Sequence, residues 1–169
     1  AVMDWKTVFL SGQDFSDWTE SGESPENQSK MKDARQALTL EPQIAGFLKA
    51  LPRPVHVIAI AEDWCGDVVR HVPVLQKLAD TASNLDVRYI SRAQWPEVFE
   101  RFLTNGGESI PKFIFLNDTF TECGNWGPMP ENCKEVIARG QACGDIPAAR
   151  QKMSGLYEAD PNARLVITE

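Results

Sequence analysis

The chain is short of histidine, of cysteine and of positive charge, and each shortage removes a class of function. It carries 17 Lys and Arg against 24 Asp and Glu, a formal net charge of -7. A basic face of the kind that nucleic acid or an anionic membrane surface needs is therefore not expected. No apolar run approaches the roughly 18 residues of a membrane span. The only histidines are His56 and His71, and the cysteines, Cys65, Cys123, Cys133 and Cys143, match no zinc-ribbon or finger spacing. No metal and no other cofactor is expected. Four cysteines in 169 residues make no disulfide scaffold either, because a chain this long has a core to hold it. The opening AVMDWKTVFL lacks the basic region of a secretory signal, which makes the cytoplasm the expected location. Internal repeats and low-complexity tracts are missing too.

What is present suits one domain over residues 1–169: 43% of the chain is apolar. Residues 11–29 are polar with scattered aromatics and read as a loosely ordered entry segment. From Gln28 to Leu51 the apolar residues Met31, Ala34 and Leu38, then Ile44, Phe47, Leu48 and Leu51, recur at helical spacing. Pro42 fits the first turn of a new helix, so two short helices are expected, stopped by Pro52 and Pro54. Val55 to Ala61 is β-branched and almost continuously apolar, as in a strand covered on both faces. A helix over Gly66–Ala82 follows, with Val69, Val72, Leu75 and Leu78 on its apolar stripe, then a strand at Leu85–Ser91 and a helix over Gln94–Thr104. KFIFLN and FTECGNW read as a hairpin around Asn117-Asp118, and Pro130 to about Ala159 as helix interrupted near Gly140 to Pro147. This order implies a three-layer α/β sandwich, a mixed central sheet with helices on both faces and a helical N-terminal extension. The expected segments are 1–51 for the extension, 52–140 for the core and 141–169 for a helical C-terminal part.

Cys65 stands where the first strand hands over to a helix, in Trp64-Cys65-Gly66-Asp67. The first turn of a helix leaves N–H groups unpaired at the positive end of its dipole, so a thiolate there is favoured. Gly66 lets backbone approach the sulfur, and Trp64 shields one side of it. Asp67 in the same turn, with Glu62 and Asp63 nearby, opposes a second negative charge, so the expected activation is modest. The competing reading is a small buried hydrophobe, the commonest fate of a free cysteine. The three acids are expected on a solvated rim or facing basic partners. His71 lies more than one and a half turns beyond Cys65 and reads as a surface residue, while His56 opens a strand and reads as structural.

EDWCGDVVRHVP resembles the active-site segment of thioredoxins, in which Trp-Cys-Gly-x-Cys opens a helix that carries a proline eight residues after the first cysteine, here Pro73. SIPKFIFL resembles the cis-proline loop of that family, with Ile110-Pro111 before a strand, and Gly127 stands sixteen residues later at the position of the groove-rim glycine. DWCGD, LTNGG-SIPK-I-FL and WGPMP, Trp126 to Pro130, are similar to a bacterial thioredoxin-like group, over roughly residues 28–140. The resemblance implies a thioredoxin-like fold, Cys65 as nucleophile, Gly66 and Asp67 supplying helix-start N–H groups, and a groove that also includes Trp64, Ile110, Pro111, Trp126 and Gly127. In the groove Ile110 is placed to pair an extended peptide. From the residues alone Pro111 is equally an ordinary trans proline at a strand start.

Three positions depart from the pattern: Val68 replaces the resolving cysteine, Ala59 stands where an acid is often buried, and Met129 replaces the arginine of WGPRP. The first expectation is a one-sulfur protein that forms mixed disulfides with protein or peptide partners and needs an external thiol such as glutathione to release them. Cys133 is a candidate distant resolving thiol, though a disulfide requires Cα atoms within about 7 Å. The second expectation is a binding module that keeps the fold and not the chemistry.

Overall fold

The computed structural model describes residues 3–102 and 109–169. Four strands form one mixed sheet in the order β2-β1-β3-β4. β1, Val55–Ile60, runs parallel to β2, Leu85–Ile90, and antiparallel to β3, Lys112–Leu116, which pairs antiparallel with β4, Glu122–Trp126. The chain between β1 and β2 is helix α5, Gly66–Thr81, because parallel neighbours need a crossover connection. The α/β class with a mixed sheet is as the sequence implies.

The register puts Ala59, Tyr89, Phe113 and Trp126 on one face, where the Tyr89 hydroxyl donates to Gln76 Oε1 of α5 at 2.7 Å. His56, Ile58 and Ile60 point to the other face, where Phe9 of α1, Trp5–Ser11, meets the His56 ring edge-on at 4.9 Å. α5 also packs against the two extension helices, α3, Pro25–Ala37, and α4, Pro42–Lys49. It is thus covered on two sides, and its buried residues are Val68, His71, Val72, Pro73, Val74 and Leu75. His71 is 0% exposed, which corrects its assignment to the surface: it shares a stripe with Val68, Val72 and Leu75, and its ring meets Trp126 of β4 at 5.2 Å.

Residues 11–29 are not a loose entry segment. α2, Phe15–Glu20, buries Phe15, Trp18 and Thr19, and Gln13 bridges to Tyr89 of β2. Trp18 stacks on Tyr89 at 4.8 Å and donates its indole N–H to Ala61 O at 3.3 Å, so apolar packing and a buried hydrogen bond hold a polar stretch in place. Phe47, one of the apolar residues at helical spacing, is 70% exposed, and Leu48 is the residue of α4 that is buried. The helix expected over Gln94–Thr104 is a short α6, Pro96–Glu100; Leu103 to Glu108, which carry the whole LTNGG stretch, lie outside the described residues.

Contacts within the chain group into two units, Ala1–Pro128 and Met129–Glu169. The second is a helix pair, α7, Glu131–Cys143, and α8, Ile146–Glu158, followed by a short α9, Arg164–Ile167. Gly144, at φ +70°, ends α7 in the left-handed region that glycine adopts without strain, and the Asp145 side chain caps α8 by accepting from Ala148 N–H. No helix among the described residues is long and apolar enough to cross a membrane.

Candidate functional site

β1 ends at Ile60, and a four-residue loop carries the chain to Cys65, the N-cap of α5. Its backbone is extended, at φ -84° and ψ 129°, while its carbonyl already accepts from Val69 N–H at 3.1 Å. The thiol is half-buried and donates to the Ile110 carbonyl at 3.7 Å. The sulfur therefore sits between the head of a 16-residue helix and the loop that opens β3. Around Gly66 there is open space. One turn on, Val68 is fully buried, as is Ala59 on β1.

The Ile110–Pro111 and Gly127–Pro128 peptide bonds are both cis. These two loops close on each other. A Cβ on Gly127, whose φ is +128°, would lie 2.2 Å from Pro111 O, so only glycine allows the approach. Lys112, 4% exposed, reaches back to donate from Nζ to Gly127 O at 2.7 Å. A buried ammonium is tolerated only when hydrogen-bonded, and this one ties the start of β3 to the end of β4. Trp126 stacks on Phe113 at 5.5 Å and meets His71 edge-on at 5.2 Å. The fold thus brings Cys65 to Ile110, and Pro111 to Gly127, while Trp126 rests against the middle of α5. Trp64 is 50% exposed, with the Arg92 guanidinium 5.4 Å over its ring.

Asp63 is the residue whose role the sequence conceals. It is 4% exposed and no part of a solvated rim. Its carboxylate accepts from Glu23 N–H at 3.1 Å, Ser24 N–H at 2.9 Å and Gln28 Nε2 at 2.9 Å, and its carbonyl accepts from Asn27 Nδ2 at 2.9 Å. Burial raises its pKa, but the bonds from Gln28, Ser24 and Glu23 outweigh burial and hold the carboxyl below its ordinary 3.8. Gly22 makes room, since a Cβ there would meet Asp63 Oδ2 at 2.1 Å. The loop carrying Cys65 is thereby pinned to the head of α3. The signal available in advance was Gly22-x-Ser24-Pro25, a glycine before a capped helix start.

None of the four cysteines, all of them among the described residues, forms a disulfide. Cys123, on β4, and Cys143, at the end of α7, are exposed, whereas Cys133 is buried in the core of the second unit with Met129, Met153 and Tyr157. His56, facing α1, is stacked on Phe120 at 4.3 Å.

A family described as thioredoxin matches residues 12–147. No curated protein matches the chain significantly. Among solved structures, a protein of unknown function from Pseudomonas aeruginosa is similar at a TM-score of 0.70 and 18% identity, over 90% of this chain and 99% of its own. An HIV epitope scaffold is similar at a TM-score of 0.69 and 19% identity, over 89% and 99%. At such identities the likeness carries the fold alone. The family match spans most of the residues and both loops that meet at Cys65; the chain belongs to the thioredoxin family.

Proposed function

We propose that this protein exchanges disulfides through Cys65 alone, as a one-sulfur member of the family close to the bacterial group with DWCGD and SIPK segments. One observation carries the reading: Cys65 is the N-cap residue of a long helix, and its sulfur lies 3.7 Å from the Ile110 carbonyl, beside the cis-proline loop. The Cys65 thiolate attacks one sulfur of a protein or peptide disulfide, a new S–S bond forms, and the other half leaves as a thiolate. With Val68 in place of a second thiol, an external thiol such as glutathione attacks the mixed disulfide and frees Cys65; no net electrons enter or leave. Trp64, Gly66, Asp67, Ile110 and Pro111 shape the reacting surface, with Trp126 and Gly127 supporting the loop. Such release needs a pool of small thiols, so the cytoplasm is the compartment that suits it.

The test is alkylation of the native protein at pH 7, with the labelled site read by peptide mass. Cys65 should label at least as fast as the exposed Cys123 and Cys143, and Cys65→Ser should lose only that label. In an insulin-reduction assay with dithiothreitol the native protein should be inactive and Val68→Cys should gain turnover. A Cys65 that resists labelling in the folded protein overturns the reading. It would leave a binding module, which the apolar filling at Val68 and Ala59 also suits.

A further inference from the structure

Next to Trp64 lies a cavity of about 470 Å³, lined by Glu62, Trp64, Arg92, Pro96, Phe99 and Glu100, with Ala93 beside them. Glu62 follows β1 by two residues and Arg92 follows β2 by two, so the cavity lies outside the carboxyl ends of the two parallel strands, where open α/β sheets take ligands. The two residues are locked together, because Glu62 Oε1 accepts from Arg92 N–H at 3.0 Å. The Glu62 carbonyl in turn accepts from Cys65 N–H at 3.2 Å. The cavity wall and the cysteine thus share one backbone turn.

Arg92 is held in an unusual way for a chain with surplus acid. Its guanidinium lies 5.4 Å from the Trp64 ring and 5.7 Å from the Phe99 ring, and among the described residues it makes no ion pair or side-chain hydrogen bond. Two aromatic contacts hold the guanidinium and leave its donors open to a carboxylate. The second carboxylate oxygen of Glu62 has no hydrogen-bond partner among the described residues, and Glu100 stands at the exposed rim. A fixed cation with two carboxylates next to it suits neither a bare anion nor a bare cation. It suits both charges on one small molecule.

Building on the thiol reading above, we infer that this cavity holds the zwitterionic α-amino-acid head of a low-molecular-weight thiol or disulfide, its carboxylate on Arg92 and its ammonium on Glu62 and Glu100, while its sulfur meets Cys65. The step is the exchange already described: the small disulfide's S–S bond breaks, Cys65 takes one half, and the other leaves as thiolate.

The experiment measures mixed-disulfide formation at Cys65 by peptide mass with four probes, namely cystine, dithiodipropionate, cystamine and bis(2-hydroxyethyl) disulfide. Each rate is divided by that of a free reference thiol with the same probe. Native protein should favour cystine over the uncharged probe by about five- to tenfold, the scale of one charge-assisted contact. Arg92→Leu should lose that preference and keep its rate with the uncharged probe, with a native-like circular dichroism spectrum and urea midpoint reporting that the variant is folded. Glu100→Gln should narrow the gap between cystine and dithiodipropionate. Equal normalised rates for cystine and the uncharged probe, or a preference that survives Arg92→Leu, would overturn the assignment and leave the exchange chemistry standing. A preference for dithiodipropionate over cystine would overturn the zwitterion in favour of a simple acid. Failure of Cys65 to react with any probe would overturn both readings.

Discussion

A carboxylate taken out of water survives only if hydrogen-bond donors replace the water it loses. Asp63 meets that condition with two backbone N–H groups and one amide, from residues 35 to 40 positions away in sequence. Its removal strands donors at the head of α3 as well as freeing the loop before Cys65. Asp63→Ala should therefore cost about 1–3 kcal/mol in urea unfolding, the penalty for buried groups left unpaired. Asp63→Asn, which keeps one acceptor, should cost less. Both should alter Cys65 labelling, since Asp63 and Cys65 share the loop. A loss of stability below 0.5 kcal/mol, the noise of a surface change, would contradict the clamp. Reading this residue from sequence fails for a physical reason: an acid next to two others is usually solvated, and only its partners at Glu23, Ser24 and Gln28 reveal that it is not.

Helices show the same limit in another form. The apolar spacing placed α5 correctly along the chain and missed which sides it buries, since the stripe at Val69, Val72, Leu75 and Leu78 assumes one covered face. The observed helix is packed by the sheet and by α3 and α4; Val68, His71, Val72 and Leu75 form one buried stripe with His71 against Trp126 of β4, and Val74 is buried off that stripe. In α2 the pattern was visible, with Phe15, Trp18 and Thr19 at spacings of three and one, but the polar residues between them outnumber it. Trp18 anchors that helix through Tyr89 and the Ala61 carbonyl. Trp18→Ala should lower unfolding free energy by about 3–5 kcal/mol, as other buried aromatic truncations do. A denaturation midpoint close to the native one would show that α2 is only loosely attached.

Across the whole molecule, pH reads out two buried groups. His71 is pushed down to about 3, first by burial and second by the charge of Arg70. In the unfolded chain it protonates near its ordinary 6.5, so between those values the unfolded state binds more protons and stability falls as pH falls. From pH 7 to pH 5 the loss from this one residue should be about 2 kcal/mol, measurable by urea unfolding, and His71→Gln should flatten that slope. Asp63 acts in a lower window: its folded value lies below 3.8, so its contribution is complete above that pH and is lost as the carboxyl protonates on further acidification. A native protein equally stable at pH 7 and pH 5 would contradict the buried neutral His71.

The amino-acid sequence by itself determined the order of strands and helices from α3 to β4, the α/β class, and the two segments, around Cys65 and Pro111, that resemble thioredoxin. Period, proline placement and local motifs are properties of neighbours along the chain, so they survive without coordinates. What tertiary structure decided is everything that depends on groups far apart: the meeting of Cys65 with the Ile110 carbonyl, the close fit of Gly127 on Pro111, the clamp at Asp63 and the cavity between Trp64 and Phe99. Burial and hydrogen bonding there are set by what the fold lays against each side chain, and no local pattern encodes them.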